Sequence, residues 1–192
     1  MTTGSLQDAR ADAVRERAME GLAAVLEAER PLTFKEVAAA SGIPERTLYR
    51  YFPTREALLA GAFEWGNRRI GFEGEAPTNA AGATALVRRA FPGFDGIAAV
   101  VRELLAAPEG LAARMASRPA RQRAALALVR HETPGLSRTE QRRTAAAIQI
   151  LTTASTWQAL RDHWEMDGAE AGETAAHAIT LLLEGARARH DT

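Results

Sequence analysis

Between Ser41 and Phe52 the chain reads SGIPERTLYRYF, and its polar side chains suit a narrow range of chemistry. Arginine offers a rigid fork of N–H donors that pairs bidentately with the edge of guanine, and a threonine methyl packs against thymine. Hydroxyls of threonine and tyrosine, with lysine and arginine, donate to phosphate oxygens. Arg46, Thr47 and Arg50 are therefore candidates for base edges. Thr33, Lys35, Tyr49, Tyr51 and Arg55 are candidates for a nucleic-acid backbone. The same chain lacks the patterns that mark catalysts. It has no glycine-rich phosphate loop followed by lysine, no nucleophile elbow and no His-Glu zinc helix. It has no cysteine, and His131, His163, His177 and His190 do not fall at metal-ligand spacing. No catalytic residue, metal or cofactor is expected.

Those donors need a rigid carrier. Thr33-Phe34-Lys35-Glu36 reads as a capping box opening a helix to about Ala40, and Gly42 suits a left-handed C-cap. A short helix then spans roughly Pro44 to Tyr51. Two short helices joined by a glycine-containing turn predict a helix-turn-helix. Counted from Phe34, the packing places are all filled: Val37, the small Ala38, Gly42, Ile43 and Leu48. With Leu48 inward, Glu45, Arg46, Thr47, Tyr49 and Arg50 face out, between Pro44 and Phe52.

Every periodic stretch of the chain has helical spacing and none alternates with period two. Gln7–Glu29 carries Val14, Ala18, Leu22 and Val25 on one stripe, and Pro31 stops it. A fourth helix starts after Thr54. GFEGEAPTNAAG, residues 71–82, is the clearest break. Beyond it the pattern predicts helices near 82–91, 95–107, 108–116 and 119–131, with Pro119 in a first turn capped by Ser117. Ser137-Arg138-Thr139-Glu140 predicts a capping box for one long helix to about Met166. Asp167-Gly168 breaks it, and a last helix runs from about Ala169 to Arg189. The expected class is all-α with nine or ten helices. The expected domains are a DNA-binding unit over 7–70 and a helical bundle over 71–192.

LTFKEVAAASGIPERTLYRYFPTREALLAGAF resembles the N-terminal domain of the TetR family of bacterial transcriptional regulators. The residues that carry the likeness are Thr33, Val37, Ala38, Ser41, Gly42 and Ile43. They continue with Thr47, Leu48, Tyr49, Tyr51, Phe52, Thr54, Arg55, Glu56 and Leu58. Pro44 stands where the family often has a capping serine, and Arg55 where lysine is commoner. The resemblance covers about residues 10–65. It implies that Thr33, Phe34, Lys35, Gly42, Ile43, Pro44, Glu45, Arg46, Thr47, Leu48, Tyr49, Arg50, Tyr51, Phe52 and Arg55 form the DNA-binding element. It implies a homodimer on a palindromic operator, usually a repressor. It also implies an apolar pocket for a small inducer and a dimer interface on the last two helices.

On that reading Phe91, Phe94, Met115 and Trp157 are the candidates to contact an apolar or aromatic inducer. Ile148 and Leu151, with Ile179, Leu182, Leu183 and Ala186, are the candidates for the interface. The chain has 24 basic and 24 acidic side chains, so its bulk charge marks no polyanion binder. Its distribution is uneven. Residues 110–143 hold eight arginines against two acids, a run expected to be solvated or acid-paired. No stretch is long and apolar enough to span a membrane and no secretion signal is visible, which predicts a cytoplasmic protein. The rival reading is a helical dimer that binds a ligand or a protein and retains a vestigial helix-turn-helix.

Overall fold

The structure, a computed structural model, describes residues 3–72 and 76–188. The described residues form eleven helices and no strand, one or two helices more than expected. They divide into two compact units interleaved along the chain. The first holds residues up to Arg68 together with Ile97–Arg114, and the second holds Arg69–Gly96 together with Met115 onward. The break at residue 71 therefore follows the sequence but not the packing, because the segment 97–114 joins the first unit.

In the first unit, α1 (Thr3–Glu27) buries Ala18, Met19, Leu22 and Val25 completely or nearly so. Burial of that stripe, rather than helix propensity, is what holds such a helix. Helix α2 (Phe34–Ser41) packs on it and is capped by Thr33, whose hydroxyl accepts from the Glu36 amide at 3.2 Å. The box is only half formed, since the Glu36 carboxylate turns to Arg30 at 2.6 Å. Helix α3 (Glu45–Tyr51) follows the turn at Gly42. Gly42 has φ +66°, the left-handed region where a side chain would be strained. Helix α4 (Arg55–Arg69) buries Leu58, Leu59, Ala62 and Trp65. The Trp65 indole donates to Glu16 at 2.8 Å, tying α4 to α1. Helix α6 (Ala98–Ala106) also packs on α1, and α7 (Pro108–Ala116) follows it.

The second unit is built on α5 (Ala80–Asp95) against α11 (Gly168–Ala188). Gly168 is required there, because a Cβ on it would lie 2.4 Å from the Phe91 carbonyl oxygen. Asn79 caps α5, accepting from the Gly82 amide at 2.8 Å, so the helix starts earlier than expected. It also runs through Pro92 to Asp95, beyond the expected end at residue 91, with Phe91 and Phe94 buried on either side of the proline. Helix α8 (Arg118–Glu132) has Pro119 in its first turn, yet Ser117 supplies no cap bond. Its hydroxyl instead accepts from Arg121 at 2.8 Å.

The long helix expected from residue 137 is two helices, α9 (Arg138–Leu151) and α10 (Ala154–Trp164). The Ser137–Glu140 capping box that opens α9 is complete. Threonines cause the break after it. Thr152 donates back to the Gln149 carbonyl and Thr153 to that of Ile150, both at 2.8 Å, while Thr153 turns extended and caps α10. Short hydroxyls that bond their own backbone compete with the helix ladder in this way. The expected end of the last helix at Arg189, and His190, lie outside the described residues.

Candidate nucleic-acid interface

Val37 and Leu48 are fully buried and Ile43 is 5% exposed, so these three packing places lie in the core of the first unit, while Ala38 is half-buried and Gly42 exposed at the turn. That fixes the roll of α3. Glu45, Arg46, Tyr49 and Arg50 are exposed, and Thr47 is half-buried beside them. Among the described residues no carboxylate pairs with Lys35, Arg46 or Arg50. Helix α3 follows Pro44, its N-cap, which gives no side-chain cap, and is held by the Pro44 carbonyl accepting from the Thr47 amide at 2.7 Å.

Aromatic rings join α3 to its neighbours. Phe34 and Tyr49 stack with centroids 4.2 Å apart and 16° between planes. The guanidinium carbons of Arg50 and Arg15 both lie over the Tyr51 ring, at 5.2 and 5.5 Å. Phe52 is buried behind it. The Thr33 hydroxyl is occupied as an acceptor by its cap bond, which leaves its proton free for an outside oxygen. Arg55 is placed otherwise than a phosphate clamp. It donates to the Leu32 carbonyl at 2.8 Å and to Glu103 at 2.5 Å, with Glu109 at 3.6 Å. Arg15 was not legible as a partner of this surface, since only tertiary packing brings it to Tyr51.

The sequence model of the bacterial regulatory proteins of the tetR family matches residues 30–62. Over that stretch the chain carries the N-terminal DNA-binding domain of that family. The domain supports a DNA-binding transcriptional regulator, and the matched stretch spans α2, α3 and the first half of α4. Comparison with curated proteins and with solved structures finds no match.

In the second unit, three of the four ligand candidates meet. Phe91 and Phe94 have centroids 5.8 Å apart, and Phe94 and Trp157 5.6 Å. All three are buried, so they form a filled core. Met115 is 40% exposed and stands apart from that core. Asp95 closes the polar end of the cluster. It accepts from the Trp157 indole at 2.9 Å, from the Gly168 amide at 2.6 Å and from Arg161. Sequence spacing gave no hint of Asp95, whose partners lie on two distant helices. An open groove of about 550 Å3 lies elsewhere in the unit, lined by Arg130, Pro134, Arg138 and Gln141. None of the four candidates lines it.

The interface candidates also part company. Ile148, Ile179, Leu183 and Ala186 are no more than 2% exposed within the single chain, so they serve its own core. Leu151 and Leu182 are half-buried. The apolar side chains that α9 and α11 do present outward are Ile150 and Leu181, 61% and 53% exposed. Among the described residues no group of three or more His, Cys, Asp or Glu is placed to hold a metal, and no helix is long and apolar enough to cross a membrane.

Proposed function

We propose that the chain is a cytoplasmic, ligand-responsive repressor that binds a palindromic operator as a homodimer, without enzymatic activity. One observation carries the DNA reading: the outward face of α3 and the start of α2 hold Arg46, Arg50 and Lys35 with no carboxylate partner among the described residues, on a helix whose roll Leu48 fixes. Exposed arginine forks on a rigid helix suit base edges in the major groove, while Thr33, Lys35 and Tyr49 suit the flanking phosphates. A two-fold pair of chains would set two α3 helices about 34–36 Å apart, one turn of DNA. Ile150 and Leu181 are the side chains proposed to meet across that two-fold, because exposed large apolar groups mark association surfaces. The two units 1–68 with 97–114 and 69–96 with 115 onward would then divide DNA reading from pairing and signal reception.

An inducer would enter at the Phe91–Phe94–Trp157 cluster by parting rings that now touch. Asp95 and Arg161 at its edge favour an apolar or aromatic molecule that carries one polar group. It would loosen DNA binding only by as much as its affinity differs between the two states. The test of the DNA reading is selection from random double-stranded DNA followed by titration at two salt concentrations. A steep fall of affinity with salt and a two-fold symmetric consensus are expected. Arg46→Ala or Arg50→Ala should relax preference at particular positions, at a cost of about 1–3 kcal/mol. Binding that ignores both salt and sequence would overturn the reading.

A further inference from the structure

We infer that Arg15 of α1 is a DNA-backbone contact, held in place by the Tyr51 ring and restrained in the free protein by Asp12. The inference rests on the DNA reading above and extends it to a helix outside the helix-turn-helix motif. Arg15 lies on the first helix, yet its guanidinium carbon is 5.5 Å from the centroid of the Tyr51 ring at the end of α3. The Arg50 guanidinium lies over the same ring at 5.2 Å. Two cations thus share one aromatic ring at the edge of the recognition helix. A ring quadrupole attracts each of them, while the two like charges repel one another. An anion beside that ring relieves the repulsion, and the anion nearest a helix seated in a DNA groove is a phosphate.

Among the described residues the carboxylate paired with Arg15 is Asp12, 3.0 Å from its guanidinium on the same face of α1. Both side chains are largely exposed, 51% and 76%. Such a pair is held weakly and yields to a stronger acceptor. A phosphate oxygen accepts a charge-assisted bond from arginine and gains from the nearby Arg50 as well. Arg17, two residues on, is already committed to the Ser41 carbonyl at 2.9 Å, so it plays a different part. Arg15 carries no sequence information in this role. It adds charge and orientation at the edge of the site.

Salt-dependent titration of the full chain on its selected DNA decides the matter. Arg15→Ala should weaken all sequences alike and lower the slope of log affinity against log salt by about 0.9 for each bound copy. Arg15→Lys should restore most of the slope, and the base preference of both variants should stay that of wild type. Asp12→Asn should bind more tightly than wild type, and the gain should shrink in an Arg15→Gln background, which a merely structural Arg15 would not produce. It also keeps the test decisive if Arg15→Ala folds poorly. Wild-type slope in Arg15→Ala, or unchanged affinity in Asp12→Asn, overturns the inference while the DNA reading stands. A wild-type protein with no salt-dependent DNA binding removes both.

Discussion

Phe34 stacks on Tyr49 almost face to face, 4.2 Å between centroids, so the start of α2 and the middle of α3 are joined outside the buried core. The contact is on the surface proposed to meet DNA, where Tyr49 is still 46% exposed. A double-mutant cycle of Phe34→Leu and Tyr49→Leu should give a coupling of about 0.5–1.5 kcal/mol in denaturant melts. Tyr49→Phe keeps the stack and should preserve stability while losing only what its hydroxyl gives to DNA. Additive single effects would show that the rings merely lie side by side.

Arg55 yields a different expectation from its position in the motif. Because it spans the Leu32 carbonyl and the carboxylates of Glu103 and Glu109, Arg55→Ala should cost about 1–2 kcal/mol of stability. The salt dependence of DNA binding should not change. A slope lowered by about one, with the melting point unmoved, would place Arg55 on a phosphate instead.

Acid sensitivity should centre on Glu132. The Ala80 amide donates to its carboxylate and holds it below the usual carboxylate range, opposed by burial and reinforced by Arg187. A carboxylate whose pKa is lower in the folded chain stabilises fully above the ordinary glutamate value. That contribution is lost as pH falls through that value towards the folded one. Glu132→Gln should therefore be less stable than wild type by about 1 kcal/mol at neutral pH. The gap should close on acidification below about pH 4, as followed by urea melts across pH. A gap that is constant with pH would refute the assignment.

Assembly can be separated from folding by choosing the right leucine. Leu181→Glu or Ile150→Glu places a charge on an exposed apolar side chain and should yield folded monomers that sediment separately and bind DNA weakly. Ile179→Glu, in a fully buried site, should instead unfold the second unit, because an unpaired buried charge costs several kcal/mol. If the Leu181 and Ile150 variants stay dimeric, the pairing face lies elsewhere.

The sequence was most informative where the chemistry is local. Caps at Thr33 and Ser137, the left-handed Gly42 and the inward Leu48 depend on neighbours a turn away, and each was visible in the spacing. What spacing could not weigh was competition and distance. The break at Thr152–Thr153 arises from hydroxyls that bond their own backbone inside an otherwise helical pattern. Arg55 finds Glu103 and Glu109 only because α6 and α7 return to the first unit. Apolar periodicity marked Ile179 and Leu183 as buried but could not say in whose core, their own chain's or a partner's. The same blindness hid Arg15 and Asp95, whose partners are brought together by packing alone.

The interleaving of the two units has a consequence for how the chain is made. Synthesis delivers α1 to α4 first, then α5, and only afterwards the segment 97–114 that completes the first unit. Helix α5 emerges with Leu86, Val87, Phe91 and Phe94 on its apolar face and no α11 to cover them. From Asp95 to Gly168 the ribosome needs roughly 4–15 s at bacterial and eukaryotic elongation rates. Throughout that interval the nascent chain exposes an apolar stripe that α10 and α11 will cover. Residues 154–188 are the ones that shield this stripe of the newborn chain from aggregation.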